Sequence, residues 1–348
     1  MKLRLSRHRR AIGMVLAIAS LGAAGVLYAR HVQWARALAV IQQASPGSLG
    51  LATGFHFLSL FAKAGAWLVC LRAVGHPRLA TVTRATFVGA TLNSLFVGSS
   101  GEAGRVVIMT RATGLRSYAI LTTVALERLL NIGGFVVFLC ATAVVVPLPF
   151  GLGRAIPVAI AGVAITGWLV SRRRAAPRIA FVSARRRERR HRLRRRARVC
   201  ARRTIAIARR IITRRRLAVA IPLTLLDWSF QLTSYHLVAR AAHLPVPIAG
   251  SLVALLAVNL GLVIRVTPGN VGIFELAYAT AAHTYGVPMD AALAVGLLIH
   301  LVQDLPTIVV GLVLGHQLVR RGRGARTPPA VAAVMSSVVA PGTTPPFA

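Results

Sequence analysis

Acidic residues are scarce in this 348-residue chain, which has seven aspartates and glutamates against 43 lysines and arginines and a formal net charge of +36. Lysine is nearly absent too, since it occurs only at Lys2 and Lys63, and the positive charge is almost all arginine. Between Arg172 and Arg216, where 21 arginines accumulate, Phe181 is the single aromatic residue. Nucleic-acid surfaces interleave basic and aromatic side chains, so this charge does not predict nucleic-acid binding.

Cysteine and enzyme motifs are also sparse. The three cysteines, Cys70, Cys140 and Cys200, show no metal-ligand spacing and predict neither a disulfide framework nor a zinc site. Walker-type phosphate loops, H-E-x-x-H, G-x-S-x-G and the paired aspartates of metal-dependent transferases are missing. We therefore expect no catalytic residue, no metal and no cofactor. An intramembrane enzyme using an acid–base pair such as Glu102 with His300 is the weaker alternative.

Hydrophobic residues, in contrast, make up 55% of the chain and form several runs of about 20 residues, the length that crosses a bilayer core. The sequence predicts an all-α polytopic membrane protein. Arginine-rich segments between the runs place both termini on the cytoplasmic side of a bacterial-type plasma (inner) membrane. A cleaved signal peptide is the competing interpretation of the N-terminus, but the run after residues 1–10 is long for one.

About six full spans are predicted, at residues 11–29, 49–74, 118–146, 154–170, 217–238 and 289–318. Two shorter or interrupted apolar segments, 85–116 and 248–286, are predicted to be re-entrant or broken helical hairpins, the first open to the cytoplasm and the second to the outside. Irregular backbone at membrane depth requires protein or a water-filled cavity around it. An arrangement with eight spans is the alternative.

The two interrupted segments share a faint internal similarity. Glu102 and Glu127 are separated by 25 positions, and so are Glu275 and His300. Together with the charge distribution, this spacing predicts an inverted repeat with a broken helix in each half, the transporter architecture that places binding near the membrane midplane.

The domain organisation follows from these segments. A basic cytoplasmic N-terminus (1–10) precedes a first membrane half (11–170), an arginine-rich cytoplasmic loop (171–216), a second membrane half (217–320) and a disordered tail (321–348). The loop is expected to lie on anionic lipid headgroups. It is alternatively a docking segment for a transferase partner.

Ionisable residues at membrane depth are costly and usually functional. In the stretch 93–128 the arginines suit bidentate phosphate binding, whereas the glutamates suit charge balance, proton acceptance or a cationic headgroup. The alternative is that these charges pair with one another and fix helix packing. The predicted substrate-binding or transport residues are Lys63, Asn93, Glu102, Arg105, Glu127, Arg128, Glu275 and His300. The predicted helix breaks are at Gly101, Pro268, Gly269 and Gly272.

Three motifs carry a family resemblance: Gly101-Glu102 followed by Arg105, then Glu127-Arg128-Leu129, then Thr267-Pro268-Gly269 with Gly272 and Glu275. They resemble the flippase-like membrane domain of lysylphosphatidylglycerol synthases, over roughly residues 8–320. The resemblance implies a helical bundle that moves aminoacylated or otherwise modified lipid between leaflets, or a non-catalytic accessory of a lipid, lipid-linked glycan or hopanoid pathway.

Two departures from the family pattern bear on lipid specificity. Gly98-Ser99-Ser100 replaces the usual proline before the first Gly-Glu, and His300 stands where an arginine is common. The synthases also carry a soluble aminoacyl-transferase domain for which this chain shows no counterpart. Lysyl transfer to lipid is therefore not expected of it.

Overall fold

The structure, a computed structural model, describes residues 34–96, 99–145, 206–261 and 267–322. These residues are helical with short connections, and no strand occurs among them. The helices are α1 (Trp34–Gln43), α2 (Pro46–Leu71), α3 (Leu79–Leu95), α4 (Ser100–Thr113), α5 (Ser117–Val145), α6 (Arg214–Ala241), α7 (Ile248–Gly261), α8 (Ile273–His283) and α9 (Met289–Gly322). Residues 206–211 are also helical.

Four helices, α2, α5, α6 and α9, are long and apolar enough to cross a membrane. They coincide with the spans predicted at 49–74, 118–146, 217–238 and 289–318. The spans predicted at 11–29 and 154–170 lie outside the described residues, as do the basic N-terminus and most of the arginine-rich loop and tail. Helix α6 begins at Arg214, so its first turn contains the last three arginines of the predicted loop.

Helices α2 and α6 form an antiparallel pair at the centre of the bundle. The backbone N–H of Ser45, just before α2, donates to the carbonyl of Ala241 at the end of α6, at 3.0 Å. Further along, the Ser234 hydroxyl donates to the carbonyl of Ala52 at 2.9 Å. Partner numbers fall on α6 as they rise on α2, so the C-terminal ends of the two helices lie at opposite ends of the pair.

Helices α3 and α4 form the first hairpin, in which α4 folds back along α3. The side-chain Oδ1 of Asn93 accepts a hydrogen bond from the N–H of Gly101 at 2.9 Å, and the Ser100 hydroxyl donates to the carbonyl of Leu92 at 2.7 Å. A Cβ on Gly101 would lie 2.1 Å from the carbonyl oxygen of Gly89. Gly101 was predicted to break the helix, but it lies inside the first turn of α4, where it permits close packing.

Helices α7 and α8 form the second hairpin. Gly261, at the end of α7, faces the Ile273 side chain at the start of α8, so the two helices run antiparallel. A 3₁₀ turn at Pro268–Asn270 lies between them. Gly269 (φ 63°) and Gly272 (φ 89°) adopt left-handed backbone conformations that favour glycine. The predicted breaks at Pro268, Gly269 and Gly272 are therefore located where the helix is interrupted.

The two hairpins meet end to end along α9. Gly296, in the first half of α9, packs against the backbone of Glu275 on α8, whereas Gly311 in its second half packs against Thr91 on α3. The base of the second hairpin therefore lies at the N-terminal end of α9, and the base of the first lies at the opposite end. At the tips, a Cβ on Gly269 would lie 2.8 Å from the carbonyl oxygen of Ser94.

The bundle exposes large apolar side chains around its long helices, as expected for surfaces that face lipid. Leu51, Leu129, Leu260 and Leu305 are each at least 60% exposed. Helix α1 packs against α9 at the edge of this bundle.

Candidate functional site

A buried ion pair joins the first hairpin to the following long helix. Arg105 on α4 donates from Nη1 to Oε2 of Glu127 on α5 at 3.0 Å, and their side chains are 8% and 1% exposed. The guanidinium carbon lies 3.8 Å from the ring centroid of Trp67 on α2, and the Trp67 indole donates to the Thr123 hydroxyl at 3.1 Å. Because both side chains are nearly excluded from water, each buried charge is compensated mainly by its partner.

Arg105 uses only part of its hydrogen-bonding capacity. Its Nε and Nη2 are buried and have no hydrogen-bond partner among the described residues. A guanidinium presents these two nitrogens along one edge, which matches two oxygens of a phosphate or carboxylate. Glu102, three residues earlier on α4, also has an unsatisfied polar atom. Its Oε2 is buried and has no hydrogen-bond partner within the described ranges. The first hairpin thus holds unsatisfied donors and an unsatisfied acceptor near each other.

A second ion pair lies beside the first. Glu102 pairs with Arg128 on α5, and their side chains are 12% and 45% exposed. The structure therefore brings together Glu102, Arg105, Glu127 and Arg128, which we call the four-charge cluster. Its formal charge is zero.

The second hairpin carries a cluster of another kind. His300 on α9 bonds through Nδ1 to Oε1 of Glu275 on α8 at 2.7 Å, and through Nε2 to Oδ2 of Asp304 at 2.9 Å. The imidazole stacks on Phe274, with ring centroids 4.8 Å apart. The other oxygen of Glu275 accepts a hydrogen bond from the N–H of Gly272 at 2.7 Å and so caps α8. Both ring nitrogens of His300 therefore face carboxylates.

Asp304 extends this cluster to the first hairpin. Its Oδ1 accepts a hydrogen bond from the Ser94 hydroxyl on α3 at 2.9 Å. Asp304 is not among the predicted site residues, although its position four residues after His300 puts the two on one helix face. The Glu275–His300–Asp304 chain is thus continuous from the tip of one hairpin to the tip of the other.

Asp227 on α6 is a further buried acid that the sequence does not single out as a site residue. It is fully buried and accepts hydrogen bonds from Ser59 at 2.6 Å, Asn131 at 2.9 Å and Gln231 at 3.0 Å. The sequence signal for this residue is that an aspartate lies within an apolar span, where ionisable residues are usually functional. These bonds tie α2, α5 and α6 together.

Two predicted site residues have other surroundings. Asn93 uses its Oδ1 to cap α4, as described above. Lys63 on α2 is partly buried and makes no ion pair with the residues that the structure describes, so it joins neither cluster. His56, two helical turns earlier on α2, lies 3.1 Å from the Thr307 hydroxyl on α9.

Each hairpin is therefore tied by ionisable side chains to the long helix that follows it. In the first half two pairs cross this interface, Arg105 with Glu127 and Glu102 with Arg128, so the hairpin and the span each carry one acid and one base. In the second half the acid, Glu275, is on the hairpin and the base, His300, is on the span. Among the described residues no group of three His, Cys, Asp or Glu side chains is arranged to hold a metal ion.

Long apolar helices around two hairpins that carry buried ionisable groups define a multi-pass integral membrane protein. Residues 11–311 match the family model for the lysylphosphatidylglycerol synthase TM region, and the chain belongs to that family. The resemblance expected from its motifs is thereby confirmed. No curated protein matches the chain.

Proposed function

We propose that the protein is a flippase-like transporter that moves a modified or anionic lipid between the leaflets of a bacterial-type plasma (inner) membrane. The observation that carries this proposal is the meeting of the two hairpin tips. They approach from opposite ends of α9, where Ser94 of the first hairpin is hydrogen-bonded to Asp304 and Glu275 of the second hairpin is hydrogen-bonded to His300. Transporters built from inverted repeats bind substrate at such interrupted helices near the midplane.

The proposed topology has six full spans and two re-entrant hairpins, with both termini in the cytoplasm. The second helix of each hairpin is short: α4 has 14 residues and α8 has 11. At about 1.5 Å per residue these helices are about 21 Å and 17 Å long, below the roughly 30 Å of a hydrocarbon core. That shortfall supports re-entrant hairpins over an arrangement with eight spans.

Arg105 is the residue proposed to bind the lipid headgroup. Glu127 neutralises it through Nη1, which leaves the Nε–Nη2 edge for two phosphate oxygens. The aromatic face of Trp67 holds the guanidinium plane in place. Movement of a lipid between leaflets breaks no covalent bond, so no enzymatic step is proposed for this chain.

The arginine-rich loop at 171–216 is proposed to rest on anionic headgroups. The second candidate function, a non-catalytic accessory of a lipid or lipid-linked glycan pathway, depends on that loop as a docking segment. Most of the loop lies outside the described residues, and this alternative stays a prediction.

The transport proposal is tested with the purified full chain in proteoliposomes that contain fluorescently labelled phosphatidylglycerol. Chemical quenching of the outer leaflet measures the rate at which label crosses the bilayer. Arg105→Gln removes the charged edge but keeps a polar side chain. Because a hydrogen bond to a charged group contributes about 1.5–3 kcal/mol, we expect a rate about 10- to 150-fold lower.

Arg111→Gln is the matched control, since Arg111 lies on the same helix but is exposed. It should move lipid at the rate of the unmodified protein. The proposal fails if the unmodified protein moves no labelled phosphatidylglycerol or aminoacylated lipid, or if both substitutions have the same effect.

A further inference from the structure

A continuous line of hydrogen bonds links the two hairpins through α9. It runs from the N–H of Gly272 to Glu275, then to His300, then to Asp304 and finally to the Ser94 hydroxyl, with each distance between 2.7 and 2.9 Å. Its two ends lie on the second and the first hairpin. The protonation state of this line therefore bears directly on how the hairpin tips are held together.

The line has one more acid than base. When both ring nitrogens of His300 donate, the imidazole is an imidazolium and both carboxylates, Glu275 and Asp304, are ionised. The three side chains then carry a formal charge of −1. Such a charge at membrane depth is costly, and one added proton removes it.

Asp304 is the member that can take up this proton. Its side chain is 31% exposed, against 10% for Glu275. Its Oδ2 already faces the N–H of His300, which leaves Oδ1 on the side of Ser94. Oδ1 is therefore the oxygen at which an added proton binds.

The Ser94 hydroxyl can accommodate both protonation states. It has a single hydrogen but two acceptors within reach, Oδ1 of Asp304 at 2.9 Å and the carbonyl of Ala90 at 3.3 Å. When Asp304 is ionised, the hydroxyl donates to it. When Oδ1 carries a proton, Asp304 donates to Ser94 and the hydroxyl hydrogen turns to Ala90. No polar atom loses its partner in either state.

We propose that Asp304 is a proton-binding site that controls the junction between the two hairpins and couples lipid movement to a proton gradient. The coupling rests on the function proposed above. Uptake of one proton at Oδ1 converts the hydrogen bond between Asp304 and Ser94 from a charge-assisted bond into a neutral one, which is about half as strong, whereas the bonds of the His300 imidazolium stay charge-assisted. Proton binding thereby loosens the contact of Ser94 with α9 and frees the first hairpin to move.

Other titratable groups lie near Asp304 on the helices packed around it. They are His56 on α2, Tyr235 on α6, Glu275 on α8 and His300 on α9, while Lys63 and Tyr278 lie near His56 and Tyr235 respectively. Asp304 acts electrostatically on His56 and Tyr235 but is hydrogen-bonded to His300 and Ser94. A test must therefore separate Asp304 from these neighbours.

Infrared difference spectroscopy of the full chain in lipid nanodiscs tests the site without any transport. Lowering the pH should produce the carbonyl bands of protonated carboxylic acids, and with seven acidic residues in the chain each band can be assigned by substitution. Asp304→Asn should remove one of these bands, the band of Asp304. Asp227→Asn, which removes another buried carboxylate, should retain it.

Ser94→Ala is a second variant that keeps the Asp304 carboxyl group, so that the test does not depend on the folding of Asp304→Asn alone. The band should persist in this protein but move to higher wavenumber, because the carboxylic acid has lost its hydrogen-bond acceptor. The proton site is overturned if the low-pH spectrum of the unmodified protein contains no carboxylic acid band, or if Asp304→Asn has the same carboxylic acid bands as the unmodified protein.

Coupling is tested in proteoliposomes with labelled phosphatidylglycerol and an imposed pH gradient. The ratio of rates with and without the gradient should be at least fivefold for the unmodified protein and close to one for Asp304→Asn. Lipid movement that ignores the gradient in the unmodified protein overturns the coupling while leaving the proposed function intact. If no lipid moves at all, the proposed function fails, and the infrared result still decides whether Asp304 binds the proton.

Discussion

Loss of Glu127 should leave a stranded positive charge inside the bundle. A guanidinium keeps its charge at any accessible pH, and the Arg105 side chain is only 8% exposed, so water cannot replace the missing carboxylate. Removing one partner of a buried ion pair costs about 3–5 kcal/mol. In Glu127→Gln the amide oxygen still accepts one hydrogen bond from Nη1, worth about 1 kcal/mol. We therefore expect the free energy of unfolding to fall by about 2–4 kcal/mol.

The double substitution distinguishes a stranded charge from a general packing defect. In Arg105→Met/Glu127→Gln no charge is left behind, and the methionine side chain fills most of the space over Trp67. We expect this protein to be more stable than Glu127→Gln alone and within about 2 kcal/mol of the unmodified protein, because apolar replacements of buried pairs are often nearly neutral.

Reversible unfolding of the full chain in bicelles, followed by tryptophan fluorescence, measures these differences. Arg128→Met serves as the control, since the Arg128 side chain is 45% exposed and exposed pairs contribute about 0.2–1 kcal/mol. The reasoning is refuted if Glu127→Gln lowers the free energy of unfolding by less than Arg128→Met does. It is also refuted if the losses for Arg105→Met and Glu127→Gln, measured separately, add up to the loss for the double substitution.

Two further predictions concern the hairpins. Gly101→Ala should destabilise the protein by about 1–3 kcal/mol in the same assay, because the new Cβ meets the Gly89 carbonyl oxygen at 2.1 Å. Gly133→Ala on α5, where no neighbouring atom of the described residues lies within 4 Å of the new Cβ, should not destabilise the protein, and equal losses for the two would rule out the packing explanation. Topology reporters placed at Arg111 and at Gly286, near the bases of the two hairpins, should label from opposite sides of the membrane. Labelling from the same side would contradict the inverted topology.

Span positions and hairpin breaks were predictable because both depend on local sequence. The length of an apolar run fixes a crossing, which is why α2, α5, α6 and α9 fall on predicted spans. Glycine and proline mark the second break, because Gly269 and Gly272 take conformations that other residues disfavour. At the first break the boundary was misplaced, since α4 is capped from a distance of eight residues by Asn93.

The partners in the ion pairs were harder to predict from the sequence. In the sequence each glutamate stands nearest an arginine of its own segment, Glu102 to Arg105 and Glu127 to Arg128. Glu127 and Arg128 are adjacent on α5, point about 100° apart and cannot face each other, whereas Glu102 and Arg105 share a face of α4. Both ion pairs nevertheless form across the α4–α5 interface.

Asp227 and Asp304 could not be assigned roles from the sequence because their partners come from elsewhere in the chain. Ser59 lies 168 positions from Asp227, and Ser94 lies 210 positions from Asp304. Only the packing of α2 on α6 and of α3 on α9 brings these hydroxyls to the carboxylates. Local patterns show that an acid is in an apolar run, but they do not show what satisfies it.

The different bases of the hairpin-to-span pairs make the halves of the bundle non-interchangeable. The first half uses the guanidinium groups of Arg105 and Arg128, whereas the second half uses the imidazole of His300. A tandem of two copies of residues 34–145 would hold four arginine–glutamate pairs, and a tandem of residues 206–322 would hold the Glu275–His300–Asp304 line twice. Either symmetric concatemer would lack the combination of arginine pairs and a histidine line that this single chain contains.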